Sequence, residues 1–394
     1  MYMISIEEAL EAVIKNSKEI LKELILPLDK ACSSVLFKDV FSPINMPPFR
    51  QSAMDGYALN LHDDFTYLLI GEVKAGDGHH IQLNKGEAVR IFTGAAVPDT
   101  ANAVIMQEKV IVSKNKITIS NQLSSEFNIR AIGEQVKKGE LALKKGTKLT
   151  PAAIGYLSSI GITEVSVYKK PSIALITTGN ELVEPGETLD YGKIYESNSK
   201  MLKSALLDLG FEDVYIHKIE DNYDETYALL QKVITEHDLV IISGGISVGD
   251  YDFVGTALKA LNIEEIFYKV NQKPGKPLFF GKNENTLLFA LPGNPAAALT
   301  CFYMYVCLAL QKLIGFRADS LLSITAKSVS EFVKNGDRPQ FLKAIYKNGE
   351  VTILEGQSSA MLQTFAISNA LVKMAGDVEK IHVNDIVEVI LLPF

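Results

Sequence analysis

The residues best suited to chemistry form a glycine-rich turn with an acidic end, Ser243-Gly-Gly-Ile-Ser-Val-Gly-Asp-Tyr-Asp252. An apolar run at 239–242 precedes it and is typical of a strand buried on both faces. A helical pattern resumes at Phe253. Such a turn lets backbone N–H groups approach a phosphate at the helix N-terminus. We therefore expect a phosphate ligand at this turn, bound by Ser243, Gly244, Gly245, Ser247 and Gly249.

The acidic end of this turn indicates a divalent metal. Gly244 and Gly249 have the spacing of a Walker A motif, but Asp250-Tyr251 stands where that motif needs Lys-Ser/Thr. Mg²⁺ is usually held by one or two carboxylates together with phosphate oxygens, and Asp250 and Asp252 are the carboxylates at this turn. A tight strand-to-helix turn without a ligand remains the alternative for the glycines alone.

Similar polar turns follow other predicted strands between residues 171 and 317. Strands alternate with helices there, which predicts a mostly parallel sheet with helices on both faces. In such sheets, ligands bind outside the carboxyl ends of the strands. Pro295 fits the first position of the next helix after an Asn294 N-cap, so free N–H groups there could meet an oxyanion. The turns together supply Glu181, Asp221, Lys273, Lys276, Pro292, Gly293 and Pro295.

Two further candidates lie in a β-rich region. Short β-like runs at 67–70, 88–92, 103–107, 110–112 and 116–119 predict a small domain there. Asp55 precedes a turn glycine, and Thr93 follows a strand and can present its hydroxyl. Simpler interpretations stay open: Asp55 and Thr93 as plain turn residues, Asp221 as a helix cap, and Lys276 as a solvated surface lysine.

Charge and cysteine content narrow the function classes. The chain has 394 residues, enough for several domains at about 100–200 residues each. Its net charge of −8 argues against a broad nucleic-acid-binding surface. Cys32, Cys301 and Cys307 have neither paired nor metal-site spacing, which favours a reducing cytoplasm. The last two lie in an apolar helical run typical of a core.

We expect no membrane attachment. Ser5 and Glu8 form a capping box that opens a charged helix over about 6–24, unlike a signal peptide. The apolar run at 296–310 is too short to span a bilayer and predicts a buried helix.

These patterns predict a multidomain α/β plus β protein. Its parts are a mostly parallel three-layer α/β domain, a β-rich inserted domain and a C-terminal β-barrel-like domain, in which Asn348-Gly349 marks a hairpin. The predicted boundaries are 1–48 with 136–170 for an elongated N-terminal domain, 49–135 for the insertion, 171–317 for the α/β domain and 318–394 for the barrel.

Six stretches, taken together, resemble the molybdopterin molybdenumtransferase family, the bacterial relatives of the gephyrin E domain. A looser match, Gly356-Gln-Ser-Ser-Ala-Met-Leu362, lies in the last domain. The six keep the family's order along most of the chain: Ser52-Ala-Met-Asp-Gly-Tyr-Ala58, Arg90-Ile-Phe-Thr-Gly94, Thr178-Gly-Asn-Glu-Leu182, Ser243-Gly-Gly-Ile-Ser-Val-Gly249, Lys273-Pro-Gly-Lys-Pro277 and Leu291-Pro-Gly-Asn-Pro295.

The resemblance implies an enzyme that inserts molybdenum, supplied as molybdate, into adenylylated molybdopterin and releases AMP, with a requirement for Mg²⁺. It implies an elongated homodimer whose site lies between subunits, with residues 171–317 as the molybdopterin-binding domain. A molybdopterin adenylyltransferase and molybdoenzyme maturation proteins are further candidate partners.

Residue by residue, the resemblance assigns Mg²⁺ to Asp221 and Asp252. It places these two with Glu181, Asp55 and Thr93 among the residues needed for activity. Binding of phosphate, pterin or molybdate falls to a second group: Ser243, Gly244, Gly245, Ser247, Gly249, Lys273, Lys276, Pro292, Gly293 and Pro295.

The sequence departs from the family pattern at two positions, and two alternative functions remain open. Gln135 and Asn180 stand where the family frequently has Asp, which weakens any metal role at those positions. An ATP-dependent molybdopterin adenylyltransferase would need only residues 171–317, so the flanking domains argue against it. A gephyrin-like non-enzymatic scaffold would not need the acidic residues.

Overall fold

The computed structural model describes residues 3–78, 80–246, 253–316 and 321–393. The chain forms two compact units: unit 1 comprises residues 1–23 and 168–394, and unit 2 comprises residues 24–167. The finer division into four domains stays a prediction. Ser247, Gly249 and Asp252 of the predicted site lie outside the described residues.

Unit 1 contains a six-stranded sheet that is parallel over its first three pairings and antiparallel over its last two. The antiparallel strand Phe279–Lys282 was not predicted, because its short run carries a glycine and follows a proline-rich turn. The strand order is Val214–Ile219, Ile173–Thr178, Leu239–Ser243, Leu287–Leu291, Phe279–Lys282 and Glu264–Tyr268.

Alternate residues of the strand Ile173–Thr178 face two separate cores. Ile173 and Leu175 pack with the helix Asn198–Asp208, whereas Ala174 and Ile176 pack with residues of Tyr223–Glu236 and Phe253–Ala260. Both cores are apolar and contain helix residues, so each face of the sheet is covered by helices. The predicted three-layer α/β architecture is confirmed.

The first helix is shorter than the expected 6–24. It spans Ile6–Asn16, and its capping box is present: the Ser5 hydroxyl accepts from the Glu8 N–H at 3.1 Å, and the Glu8 carboxylate accepts from the Ser5 N–H at 2.7 Å. The helix ends where Ser17 turns to an extended conformation. Asn16 and Ser17 favour helix ends because their side chains compete for backbone hydrogen bonds.

One apolar helical run crosses the core of unit 1. It continues without a break through Pro295–Cys301, a π-helical turn Phe302–Val306, and Cys307–Leu313. The helix has 19 residues, so it is longer than the predicted run at 296–310. Among the described residues, it is the one helix whose length and composition could suit a membrane span. However, 89% of its 18-residue apolar window is buried inside the protein, as predicted for a core helix. Burial raises the pKa of the Cys301 thiol to about 12.

The end of unit 1 is a closed five-stranded barrel, as predicted. Asn348 and Gly349 both have positive φ and join two of its strands in a tight hairpin. A short helix, Leu362–Ala366, and a small strand pair, Phe332–Val333 with Lys380–Ile381, accompany the barrel. In order around it, the strands are Ser323–Ser328, Glu350–Ile353, Gln340–Lys347, Ala370–Met374 and Ile386–Leu391.

Unit 2 is built around a second six-stranded sheet. Its helix Pro151–Ser159 is capped by the Thr150 hydroxyl, with proline at the first position. The strand order is Ala103–Met106, Gly56–Leu59, Glu87–Ile91, Thr66–Val73, Lys116–Ile119 and Val110–Ser113. Short strands elsewhere in or at the ends of the unit are Glu23–Pro27, Val40–Phe41, Gln51–Ser52, Ile129–Arg130, Leu141–Leu143 and Glu164–Tyr168.

Candidate functional site

A cleft of about 820 Å³ opens at the carboxyl ends of the parallel strands in unit 1. This is the position at which open α/β sheets bind their ligands. The short strands Leu182–Val183 and Ile194–Tyr195 lie on one side of it. The cleft is lined by many of the predicted site residues: Glu181, Asp221, Ser243, Gly244, Gly245, Lys276, Pro292, Gly293 and Pro295.

The glycine turn forms one wall of the cleft, and two of its positions have no room for a side chain. Gly244 and Gly245 have φ values of +92° and +64°. A Cβ atom on Gly244 would lie 2.8 Å from the Thr178 carbonyl oxygen, and one on Gly245 would lie 2.8 Å from the Thr178 hydroxyl. Two consecutive glycines therefore let the turn pass close to the neighbouring strand and expose its backbone to the cleft.

Asp221 is held in place by the neighbouring strand end. One of its carboxylate oxygens accepts from the Thr178 hydroxyl at 3.1 Å, and the other accepts from the Asn180 N–H at 3.4 Å. The cap of the next helix is Asn222, whose side chain accepts from two backbone N–H groups. The alternative that Asp221 is the helix cap is therefore wrong, and both carboxylate oxygens keep lone pairs for a ligand.

Asn180, which stands where the family frequently has Asp, supports the backbone of Asp221. The Asn180 side-chain oxygen accepts from the Asp221 N–H at 3.0 Å, so this residue braces the acidic position rather than adding a charge to it. Glu181 follows on the exposed rim of the cleft. Three described carboxylates therefore line the cleft: Glu181, Asp221 and Glu196, which is buried and accepts hydrogen bonds from Ser199.

The basic residues of the cleft differ partly from those predicted. Lys276 lines the cleft and is exposed. Lys273 is not among the described residues that line it; its backbone instead pairs with the barrel through Pro339 and Phe341.

Lys269 lines the cleft and was missed from the sequence. Its φ is +73°, a conformation that costs a non-glycine residue about 1–3 kcal/mol and often marks a functional position. Its ammonium lies 4.9 Å from the centroid of the Tyr268 ring. The sequence carried one signal for a role of Lys269 in the cleft: it is a lysine at the end of the strand that precedes the Lys273-Pro-Gly-Lys276 turn.

The helix start after Pro292 does not offer the expected free N–H groups. The N–H groups of Ala296 and Ala297 both donate to the Ser359 carbonyl oxygen, at 3.1 and 3.2 Å. Asn294 occupies the N-cap position, but its side chain makes no cap bond and donates to the Ser359 hydroxyl instead. The prediction of an oxyanion site on these two N–H groups is therefore wrong, because the barrel loop already satisfies them.

Asn198 is a second residue that sequence reasoning missed. Its amide nitrogen donates to the Ser243 hydroxyl oxygen at 2.8 Å and to the Gly293 carbonyl oxygen at 2.7 Å. It therefore ties together two of the predicted motifs, the glycine turn and the Pro292–Pro295 turn. No motif in its own stretch of sequence signals this role.

Unit 2 brings together the two predicted residues Asp55 and Thr93. The backbone N–H and the hydroxyl of Thr93 donate to the same Asp55 oxygen, at 2.7 and 2.8 Å. These bonds lower the pKa of the Asp55 carboxyl, the backbone bond most, and the nearby Arg90 charge adds to the effect. The structure thus gives an exposed carboxylate that stays ionised. Gln135, the other departure, is exposed in the same unit.

Comparisons with known proteins cover almost the whole chain. Three domain families match in order: "MoeA N-terminal region (domain I and II)" over residues 4–161, "Probable molybdopterin binding domain" over 174–312 and "MoeA C-terminal region (domain IV)" over 325–392. The first two contain all of the predicted site residues.

Full-length relatives agree with these matches. The molybdopterin molybdenumtransferase of Haemophilus influenzae is 36% identical over 380 residues, with 94% of each chain covered. That of Staphylococcus epidermidis is 33% identical over 401 residues, covering 98% of this chain and 95% of the relative. The crystal structure of the molybdopterin biosynthesis moeA protein from Pyrococcus horikoshii matches with a TM-score of 0.85 at 30% identity, covering 99% of this chain and 100% of that one. The chain belongs to the molybdopterin molybdenumtransferase family and is an enzyme that inserts molybdenum in molybdenum-cofactor biosynthesis.

Proposed function

We propose that the enzyme takes adenylylated molybdopterin and molybdate as substrates and releases AMP with the help of Mg²⁺, in the cytoplasm. One observation carries the proposal: the same cleft holds a braced carboxylate, Asp221, and two lysines, Lys269 and Lys276, around the glycine turn. Breaking a phosphoanhydride beside a molybdate dianion requires positive charge, since the two substrates repel each other. The lysines supply it directly, and the carboxylate would supply it by holding Mg²⁺.

The donor chemistry fits Mg²⁺. Among the described residues, no three His, Cys, Asp or Glu side chains form a preformed metal cage. Mg²⁺ does not need one, because one or two carboxylates with phosphate oxygens and waters complete its shell. Asp221 would hold the ion, and Asp252 is the expected second ligand. When bound, Mg²⁺ would neutralise phosphate charge and act as a Lewis acid.

The remaining steps fall to the chain's own groups. The Gly245 backbone N–H would bind a phosphate, since the Gly244 N–H already donates to the Leu291 carbonyl oxygen at 3.3 Å. The lysine ammonium groups would place molybdate beside the pterin. Thr178 and Asn180 would keep the Asp221 carboxylate oriented. No described cysteine lines the cleft, so the sulfur ligands of molybdenum would come from the substrate.

The direct test is a product assay on the purified full-length protein. We expect AMP release from adenylylated molybdopterin only when molybdate and Mg²⁺ are both present. Incubation with ATP and molybdopterin without molybdate should release no pyrophosphate; its release would support the rival adenylyltransferase. Asp252→Ala should leave folding intact and abolish molybdate-dependent AMP release, and normal turnover of this variant would refute the metal assignment.

We also propose that the enzyme acts as a homodimer in which Asp55 and Thr93 serve the cleft of the partner copy. The Asp55 carboxylate in unit 2 is exposed, and the bonds from Thr93 keep it ionised. Such a group is suited to meet a ligand held by the partner copy. Mixing the inactive variants Asp55→Asn and Asp221→Asn tests this. About a quarter of the wild-type turnover should return, because half of the dimers are mixed and each holds one intact site. If both residues serve their own copy, mixing restores nothing.

A further inference from the structure

We propose that Gln272 and Tyr305 are positioning residues that hold the loop carrying Lys276, and thereby set how tightly the cleft binds its anionic substrate. This inference rests on the proposed function, because it takes Lys276 as a ligand of molybdate. Neither Gln272 nor Tyr305 lines the cleft, so their effect would act through the loop.

Gln272 is fully buried and bonds to the inner side of this loop. Its amide nitrogen lies 3.1 Å from the Pro274 carbonyl oxygen and 3.2 Å from the Gly275 carbonyl oxygen. It also lies 3.6 Å from the Cys301 sulfur on the core helix. One side chain thus satisfies the carbonyl groups of the two residues that directly precede Lys276.

Tyr305 fixes the direction of the Gln272 amide. Its hydroxyl donates to the Gln272 side-chain oxygen, so the amide nitrogen must point towards the loop carbonyls. Burial raises the pKa of Tyr305 well above its usual value, so the hydroxyl stays a donor. Tyr305 lies in the π-helical turn Phe302–Val306, a type of helix irregularity that often accompanies functional sites.

The loop packs closely against Gln272. Gly275 has a φ of +88°, and a Cβ atom there would lie 2.8 Å from the Gln272 amide nitrogen. The Lys276 carbonyl oxygen accepts from the Val270 N–H at 3.1 Å. The Lys276 backbone is therefore fixed on both sides, while its side chain reaches the cleft. Loss of the Gln272 bonds should loosen the base from which that ammonium extends.

A double-mutant cycle on the full-length enzyme tests the inference. Gln272→Leu keeps the volume and removes the donor, and Tyr305→Phe removes only the hydroxyl. We expect each to raise the apparent KM for molybdate about fivefold, with kcat changed less than about twofold. In a Lys276→Met background the same substitutions should add no further increase, because their effect passes through Lys276.

Tyr303→Phe is the matched control, since Tyr303 lies in the same turn but packs against Phe302 and Phe365. It should leave the molybdate KM unchanged. If Gln272→Leu does not fold, Tyr305→Phe carries the test. An equal KM increase with and without Lys276, or none in either single variant, overturns the inference alone. An unchanged KM in Lys276→Met overturns the proposed role of Lys276 as well, which separates the two failures.

Discussion

Thr93 donates two hydrogen bonds to one oxygen of Asp55, from its backbone nitrogen at 2.7 Å and from its hydroxyl at 2.8 Å. The two residues come from motifs 38 positions apart, and both were predicted from the resemblance without any contact between them. The two bonds lower the pKa of the exposed Asp55 carboxyl, so the carboxylate form is favoured. The Thr93 hydroxyl therefore has a defined partner in Asp55, and its role in activity stays a prediction.

Thr93→Val should move the acid limb of the pH–rate profile to higher pH. The pKa of Asp55 is lowered by Thr93, so the carboxylate stays ionised to lower pH in the wild type. Removing the hydroxyl removes one of the two bonds and lets this pKa rise towards its ordinary value. NMR titration of the Asp55 carboxyl would measure the change directly. Thr118→Val, which removes a hydroxyl that contacts Thr66 in the same unit, should shift neither quantity. An unshifted Asp55 titration in Thr93→Val would contradict this account.

Asp221→Asn and Asn222→Ala should separate activity from stability. Asp221→Asn removes a charge from the cleft and should lower turnover about a hundredfold with little change in Tm. Asn222→Ala removes a helix cap and should cost about 1 kcal/mol of unfolding free energy while turnover at low temperature persists. Turnover assays and urea unfolding on both variants check this. The reverse pattern would mean that Asp221 has a structural role.

Gly244→Ala should destabilise the enzyme and impair it. The positive φ and the 2.8 Å approach to the Thr178 carbonyl oxygen predict a cost of about 1–3 kcal/mol and a displaced turn. Gly155→Ala is the control, because it lies in a helix with no atom within 4 Å of a new Cβ. It should stabilise the protein by about 0.5–1 kcal/mol. Chemical denaturation of the two variants would show opposite shifts, and equal shifts would count against the steric explanation.

Lys343→Met should reduce both stability and activity, whereas Lys334→Met should reduce stability alone. Both lysines are buried, Lys343 in a barrel strand and Lys334 directly after the small strand Phe332–Val333. Both donate to backbone carbonyl groups, so each loss should cost about 1–3 kcal/mol. The three carbonyls that bind Lys343 belong to Gly356, Ser358 and Met361, in the loop that reaches the cleft.

Turnover measured well below each variant's Tm distinguishes the two lysines. The carbonyls at Lys334 belong to Ala375 and Gly376, and neither residue lines the cleft. Equal losses of activity in the two variants would show that the Lys343 loop has no special influence on the site.

Local signals in the sequence were sufficient for much of the fold. The capping box at Ser5 and the hairpin at Asn348-Gly349 depend on residues three or fewer positions apart, and the structure has both. The end of the first helix at Asn16 was missed, since the charged pattern continues beyond it. Propensity at a single residue decided the helix end against that pattern.

The site was only partly predictable because its supporting contacts join distant residues. Asn198 lies 45 residues from Ser243 and 95 from Gly293, and no short pattern reports such a contact. Lys269 depends on a backbone conformation that only the fold imposes. The free N–H groups expected after Pro295 were lost to Ser359, a residue of the barrel 62 or more positions away.

The Ser359 carbonyl limits how the barrel can be exchanged between relatives. It accepts from the helix start at Ala296 and Ala297, and the next residue, Ala360, lines the cleft. A barrel loop therefore contributes to a cleft formed mainly by the α/β sheet. Loss or exchange of the barrel would leave two backbone donors without their partner beside the substrate. We therefore expect a chimera between relatives to function only if its crossover keeps this loop and helix from the same parent.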